Sequence, residues 1–101
     1  IVISVNNQCF RKKNALDSQL LQKKFKDFTR NTPCKVGDQA CIGKDFALCA
    51  QEDSWSIIPC NNNLVCVVLP LVLKSGTSIT CDTIVDQNLR IHDSFKAAKG
   101  C

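Results

Sequence analysis

The sequence predicts an α+β fold: an antiparallel sheet of about five short strands, with an N-terminal and a C-terminal helix packed on one face, stapled by disulfides. Three observations lead there. Apolar residues recur at helical spacing near both ends of the chain. Short β-rich segments separated by turn residues fill the middle. Eight cysteines in 101 residues, an even count in a short chain, read as a disulfide framework.

The first helix is expected over residues 15–29, ALDSQLLQKKFKDFT. Leu16, Leu20, Leu21, Phe25 and Phe28 make one broad apolar face. Asn14 is a suitable N-cap, and Asp17 stands three positions on, as in a capping box with a shorter acid. Lys23, Lys24 and Lys26 lie toward the end of the segment, where cations complement the helix dipole. Pro33 then disfavours helical geometry at Thr32.

Strands are expected within residues 34–81. Gly37-Asp38 is a turn signal, and KDFALCAQ alternates, with Phe46 and Leu48 expected inward. SWSIIPC follows the polar turn QEDS, LVCVVLPLVL follows NNN, and TSITC follows KSG. Connections this short suit an antiparallel meander.

The second helix is expected over residues 83–98, TIVDQNLRIHDSFKAA. Thr83 with Asp86 forms a capping-box-like start. Ile84, Ile91, Phe95 and Ala98 share a stripe, and Gly100 is placed to end the helix.

The length fits a single domain, residues 1–101. The cysteines are Cys9, Cys34, Cys41, Cys49, Cys60, Cys66, Cys81 and Cys101. They are separated by 24, 6, 7, 10, 5, 14 and 19 residues, so no close pair of the kind zinc sites use exists. Eight cysteines allow 105 pairings. Cys9 and Cys101 flank the two helices and are the first candidates for a bridge. The other six would staple the sheet. Such a framework implies secretion into an oxidising, extracellular compartment. The opening IVISVNNQ lacks the regions of a leader, and a processed chain is the expectation.

Most catalytic classes lack their residues. The single histidine, His92, falls on the second helix, and no serine lies in G-x-S-x-G. None of the four glycines fits G-x-G-x-x-G, so no cofactor is expected. Asp38, Asp45, Glu52, Asp53 and Asp82 stand in or beside turns, which Asp favours for its own conformational reasons. No enzyme activity is expected.

Sugars are bound by aromatic faces, with amides and carboxylates taking the hydroxyls. Trp55, the only tryptophan, lies at a hairpin, and Asp53, Asn61, Asn62, Asn63 and Asp82 are candidate polar partners.

From Cys34 the chain reads C34-x6-C41-x4-FA-x-C49-x5-W55-x4-C60-x5-C66, then LPLVLKSGTSITCDT. This pattern resembles small secreted fungal proteins related to carbohydrate-binding module family 19, associated with chitin binding. The whole outline is also similar to small dimeric mushroom lectins that bind N-acetylated amino-sugar glycans. The resemblance covers residues 34–90, and this chain departs from it in a longer, more acidic QEDSW turn. It implies a secreted, non-enzymatic, glycan-binding protein with a defence role, in which Trp55 stacks on the sugar.

A second reading rests on charge. Residues 1–35 carry +6 and the rest −2. That suits a cytotoxic or antimicrobial protein acting on membranes or nucleic acid, a ribosome-directed one included.

One segment remains. Residues 64–73, LVCVVLPLVL, are too short and too broken by Pro70 for a membrane helix. Both faces of a strand there are apolar, whereas a half-solvated strand alternates. A homodimer interface through residues 64–73 is therefore expected.

Overall fold

A computed structural model of the protein describes residues 7–101; the opening residues 1–6, on which the expectation of a processed chain bears, lie outside the described residues. The elements in order are α1 (Phe10–Phe25), β1 (Gln39–Ile42), β2 (Asp45–Gln51), β3 (Ser54–Ile58), β4 (Val65–Pro70), β5 (Thr77–Asp82) and α2 (Ile84–Ala97). The α+β class, the five antiparallel strands and the flanking helices are as the sequence predicts.

The strands form two sheets rather than one. β1, β2 and β3 make a three-stranded antiparallel meander, and β4 and β5 a separate antiparallel pair. In the first sheet Cys41 faces Phe46 and Cys49 faces Trp55, with the register shifting between Cys49 and Gln51. In the second, Val68 faces Ile79 and Pro70 faces Thr77. α1 and α2 pack against each other, and both pack on β4.

All eight cysteines are paired. Cys9–Cys101 joins the start of α1 to the end of α2, as expected, so the two helices run antiparallel. Cys34–Cys49 ties the entry segment to β2. Cys41–Cys66 links the two sheets, and Cys60–Cys81 anchors the segment after β3 to β5.

α1 spans Phe10–Phe25 instead of residues 15–29. Cys9 occupies the cap position, and Asn14 lies inside the helix with no exposed surface. The buried side is Asn14, Ala15, Ser18 and Phe25, rotated from the expected leucine face. Leu16 and Leu20 accordingly stay 44% and 67% exposed. The helix is turned this way because Asn14 and Gln22 have backbone partners in and beyond β4. α2 begins where predicted, with the Thr83 side chain accepting from the Asp86 N–H at 3.0 Å. Its buried positions are Gln87, Ile91 and Ser94, with Ala98 just beyond; Ile84, in the first turn, faces solvent.

In β2 it is Ala47 and Cys49 that are fully buried, while Phe46 and Leu48 are half-buried. Cys49 points inward with its bridge to Cys34, and Ala47, two residues away, shares that face. Phe46 still packs on the core of Phe25, Ala40, Cys41, Cys66 and Val68.

β4 is buried at five consecutive positions, Cys66 to Pro70, with Val67 and Val68 at 1% and 0% exposure. The premise of the dimer expectation, an uncovered second face, therefore does not hold: this chain covers both faces of β4 itself. The free edge of β4 is covered as well. The Cys66 N–H donates to the Lys44 carbonyl (2.9 Å), the Val68 N–H to Gln22 Oε1 (2.8 Å), and Gln87 Nε2 donates to the Val68 carbonyl (3.1 Å). An open strand edge is a template for pairing with another chain, and here side chains from both helices occupy it.

Candidate functional site

The sequence-derived site residues separate into two groups. Trp55 and Asp53 belong to the β2–β3 turn and the start of β3. Asn61, Asn62, Asn63 and Asp82 lie beyond the other end of that strand. Trp55 and Ile58 alone are about 10 Å apart along an extended strand, and the asparagines follow Ile58. Asp82 joins the asparagine group, since it pairs with Val65 while its neighbour Cys81 is bridged to Cys60.

The asparagine group is occupied with its own backbone. Asn62 and Asn63 have φ of 47° and 62°, the left-handed region that Asn tolerates better than most residues, and the Asn61 carbonyl accepts from the Leu64 N–H. One Asp82 carboxylate oxygen accepts from the Thr83 N–H. Hydrogen bonding with Asp82, and then with Arg90, holds the Asp86 carboxylate below the ordinary range, and Arg90 is raised in turn by Asp86. These carboxylates organise the start of α2.

Asp53 is engaged as well. Its φ is 59°, its carboxylate accepts from the Cys34 N–H (3.1 Å), and its N–H donates to the Cys34 carbonyl (2.9 Å). That reciprocal pair pins the β2–β3 turn to the segment leaving α1. It leaves Asp53 a positioning role beside Trp55.

Trp55 is half-buried. Its Nε1 donates to the Thr32 carbonyl at 2.8 Å, and its ring lies 6.2 Å from that of Phe28, tilted by 53°. Phe28 in turn meets Phe25 edge-on at 5.0 Å. The indole is thus fixed in orientation from two sides. Beside it runs a groove of about 330 Å³ whose lining includes Lys24, Phe28, Pro33, Asp38, Gln39 and Trp55. The apolar part comes from Leu21, Phe25, Phe28, Pro33 and Trp55; a cation, a carboxylate and an amide stand with them. Asp38 accepts from the Lys35 N–H, which sets its direction, and Gln39 and Lys24 are exposed.

Sequence reasoning found Trp55 but missed its groove partners. Phe28 reads as helix core, and Asp38 as an ordinary turn acid. Their convergence depends on the chain between α1 and β1 folding back along β3, with the Trp55–Thr32 hydrogen bond and the Asp53–Cys34 pair holding it. Among the described residues no group of three or more His, Cys, Asp or Glu side chains could hold a metal ion. No helix among them is long and apolar enough to cross a membrane. The four disulfides suit an oxidising, extracellular-type environment.

Comparison of the chain with known protein families, characterised proteins and solved structures yields no match.

Proposed function

We propose that this is a secreted glycan-binding protein that recognises N-acetylated amino-sugar glycans or chitin-like oligosaccharides in defence, without transforming them. The observation that supports it is the groove beside Trp55. An orientation-locked indole with Phe28 and Pro33 offers C–H faces of a pyranose ring a surface to stack on. Asp38 accepts hydrogen bonds from hydroxyls, Lys24 donates them, and the Gln39 amide does both, which suits an acetamido group. The volume is at the lower end of small-ligand sites, enough for one or two sugar residues in a shallow site.

The test is titration with chitin oligomers, alongside a glycan array on the oxidised protein. Trp55 is the only tryptophan, so its fluorescence reports on the groove directly. Binding is expected to perturb that fluorescence, and Gln39→Ala, a change at an exposed position, is expected to weaken it. Absence of binding to every amino-sugar glycan would reject the reading. Binding indifferent to both Gln39→Ala and Lys24→Ala would move the site elsewhere.

A further inference from the structure

The connection between β4 and β5 is apolar where a tight loop is ordinarily polar. Leu73 is 90% exposed and Val72 45%, so neither contributes a full side chain to the core. The tip is nonetheless firmly held. Asn14, with no exposed surface, donates through Nδ2 to the Leu71 and Lys74 carbonyls (3.0 and 2.9 Å) and accepts at Oδ1 from the Gly76 N–H (2.8 Å). The Leu71 N–H also donates to the Gly76 carbonyl. A buried helix side chain thus presents the apolar tip in one conformation.

The end of the molecule that carries the tip is basic. Asn14 places it beside the first half of α1, and the Cys9–Cys101 bridge brings the end of α2 to the same end of the molecule. This end carries Arg11, Lys12, Lys13, Lys96 and Lys99, with Lys74 on the loop itself. Lys13 and Asp17 pair there at 2.7 Å and neutralise each other, which leaves Arg11, Lys12, Lys74, Lys96 and Lys99 against the Asp93 side chain.

We propose that the 71–75 loop, with the basic end around it, is a docking surface for an anionic lipid bilayer. Leu73 and Val72 enter the boundary of the acyl region, and the surrounding lysines contact the headgroups. Acidic headgroups above an apolar layer complement both halves of the surface at once. A polynucleotide would complement the charge but offers nothing to an exposed leucine, and so fits less of what is seen.

The test is co-sedimentation of the full, oxidised chain with vesicles of phosphatidylcholine alone and of phosphatidylcholine mixed with phosphatidylserine. Binding to the mixed vesicles, weakened by salt, is expected. Leu73→Ser is expected to reduce the partition coefficient by about tenfold. The double variant Lys12→Gln, Lys74→Gln is expected to reduce it by about tenfold or more. These residues are exposed, so near-ultraviolet dichroism is expected to show an unchanged fold in each variant. Four results would overturn the proposal: no binding to the mixed vesicles, vesicle binding unchanged by Leu73→Ser, vesicle binding unchanged by the double lysine variant, or tighter binding to duplex DNA than to the mixed vesicles.

Discussion

Gln22 and Gln87, one on each helix, meet through a 2.7 Å hydrogen bond from Gln87 Nε2 to Gln22 Oε1, and together they bracket the backbone of Val68. The same Oε1 accepts from the Val68 N–H while the same Nε2 donates to its carbonyl. Helix–helix and helix–strand packing are therefore joined in one polar contact inside an apolar layer. Replacing Gln22 by Leu leaves the buried Val68 N–H without its partner, at a cost of about 1–3 kcal/mol. Urea unfolding of Gln22→Leu, Gln87→Leu and the double variant is expected to show a double-variant loss smaller than the sum of the singles, because the two side chains act as one unit.

Asn14 satisfies three backbone groups of the β4–β5 loop. Asn14→Ala is expected to destabilise the protein by about 3 kcal/mol. Hydrogen exchange at the Gly76 amide locates the effect, since that N–H donates to Asn14 Oδ1. Asn14→Asp keeps the acceptor for Gly76 but turns a carboxylate toward the Leu71 and Lys74 carbonyls. It is expected to retain some Gly76 protection while being no more stable than the alanine variant.

Trp55 contributes a hydrogen bond to the fold and a ring to the groove, and substitution separates the two. Trp55→Phe removes the bond to the Thr32 carbonyl, for a loss of about 1 kcal/mol, but keeps an aromatic face. Calorimetric titration with a chitin oligomer is expected to show affinity reduced only several-fold in Trp55→Phe. In Trp55→Ala it is expected to disappear.

The start of α2 carries an acid-sensitive contribution. Asp86 titrates below its ordinary value of 3.8 in the folded protein because of Asp82 and Arg90. A lowered carboxyl pKa means that its stabilisation is fully present above the unfolded value and is lost as pH falls through the folded one. Thermal unfolding between neutral pH and the range below 3.8 is thus expected to show a smaller acid-induced loss in Asp86→Asn than in the native chain. The difference is modest, because the carboxylate is solvent-exposed. Thr83→Ala, which removes the cap itself, is expected to cost about 1 kcal/mol at any pH.

What the sequence disclosed follows from how local each signal is. The five strands, the Thr83 start of α2 and the Cys9–Cys101 bridge are where short-range spacing or chain ends point. The placement of α1 is different. Asn14 looks like a cap because caps are the commonest use of Asn beside an apolar face, yet its partners are 57 to 62 residues away. Gln22 and Gln87 lie outside the apolar stripes the sequence indicates, yet they hold Val68 across 46 and 19 residues. Of the apolar run 64–73, residues 65–70 form the strand apolar on both faces that the sequence indicates, while 71–73 leave it for the β4–β5 loop. The strand's cover came from elements whose packing no periodicity reveals. Of the candidate site, Trp55 was legible as a lone aromatic at a hairpin. Phe28, Pro33 and Gln39 reach it only through the fold of the intervening chain.

The bridge between Cys9 and Cys101 encloses every element of the fold within one covalent ring. A single backbone cut anywhere between those two residues leaves both pieces attached to each other. A protease that nicks the exposed loop at Leu73 would leave them joined by Cys60–Cys81 as well. The nicked protein would keep the mass of the intact one plus a water until its disulfides are reduced. Wherever a protease reaches the chain, one cleavage need not be the loss of the molecule.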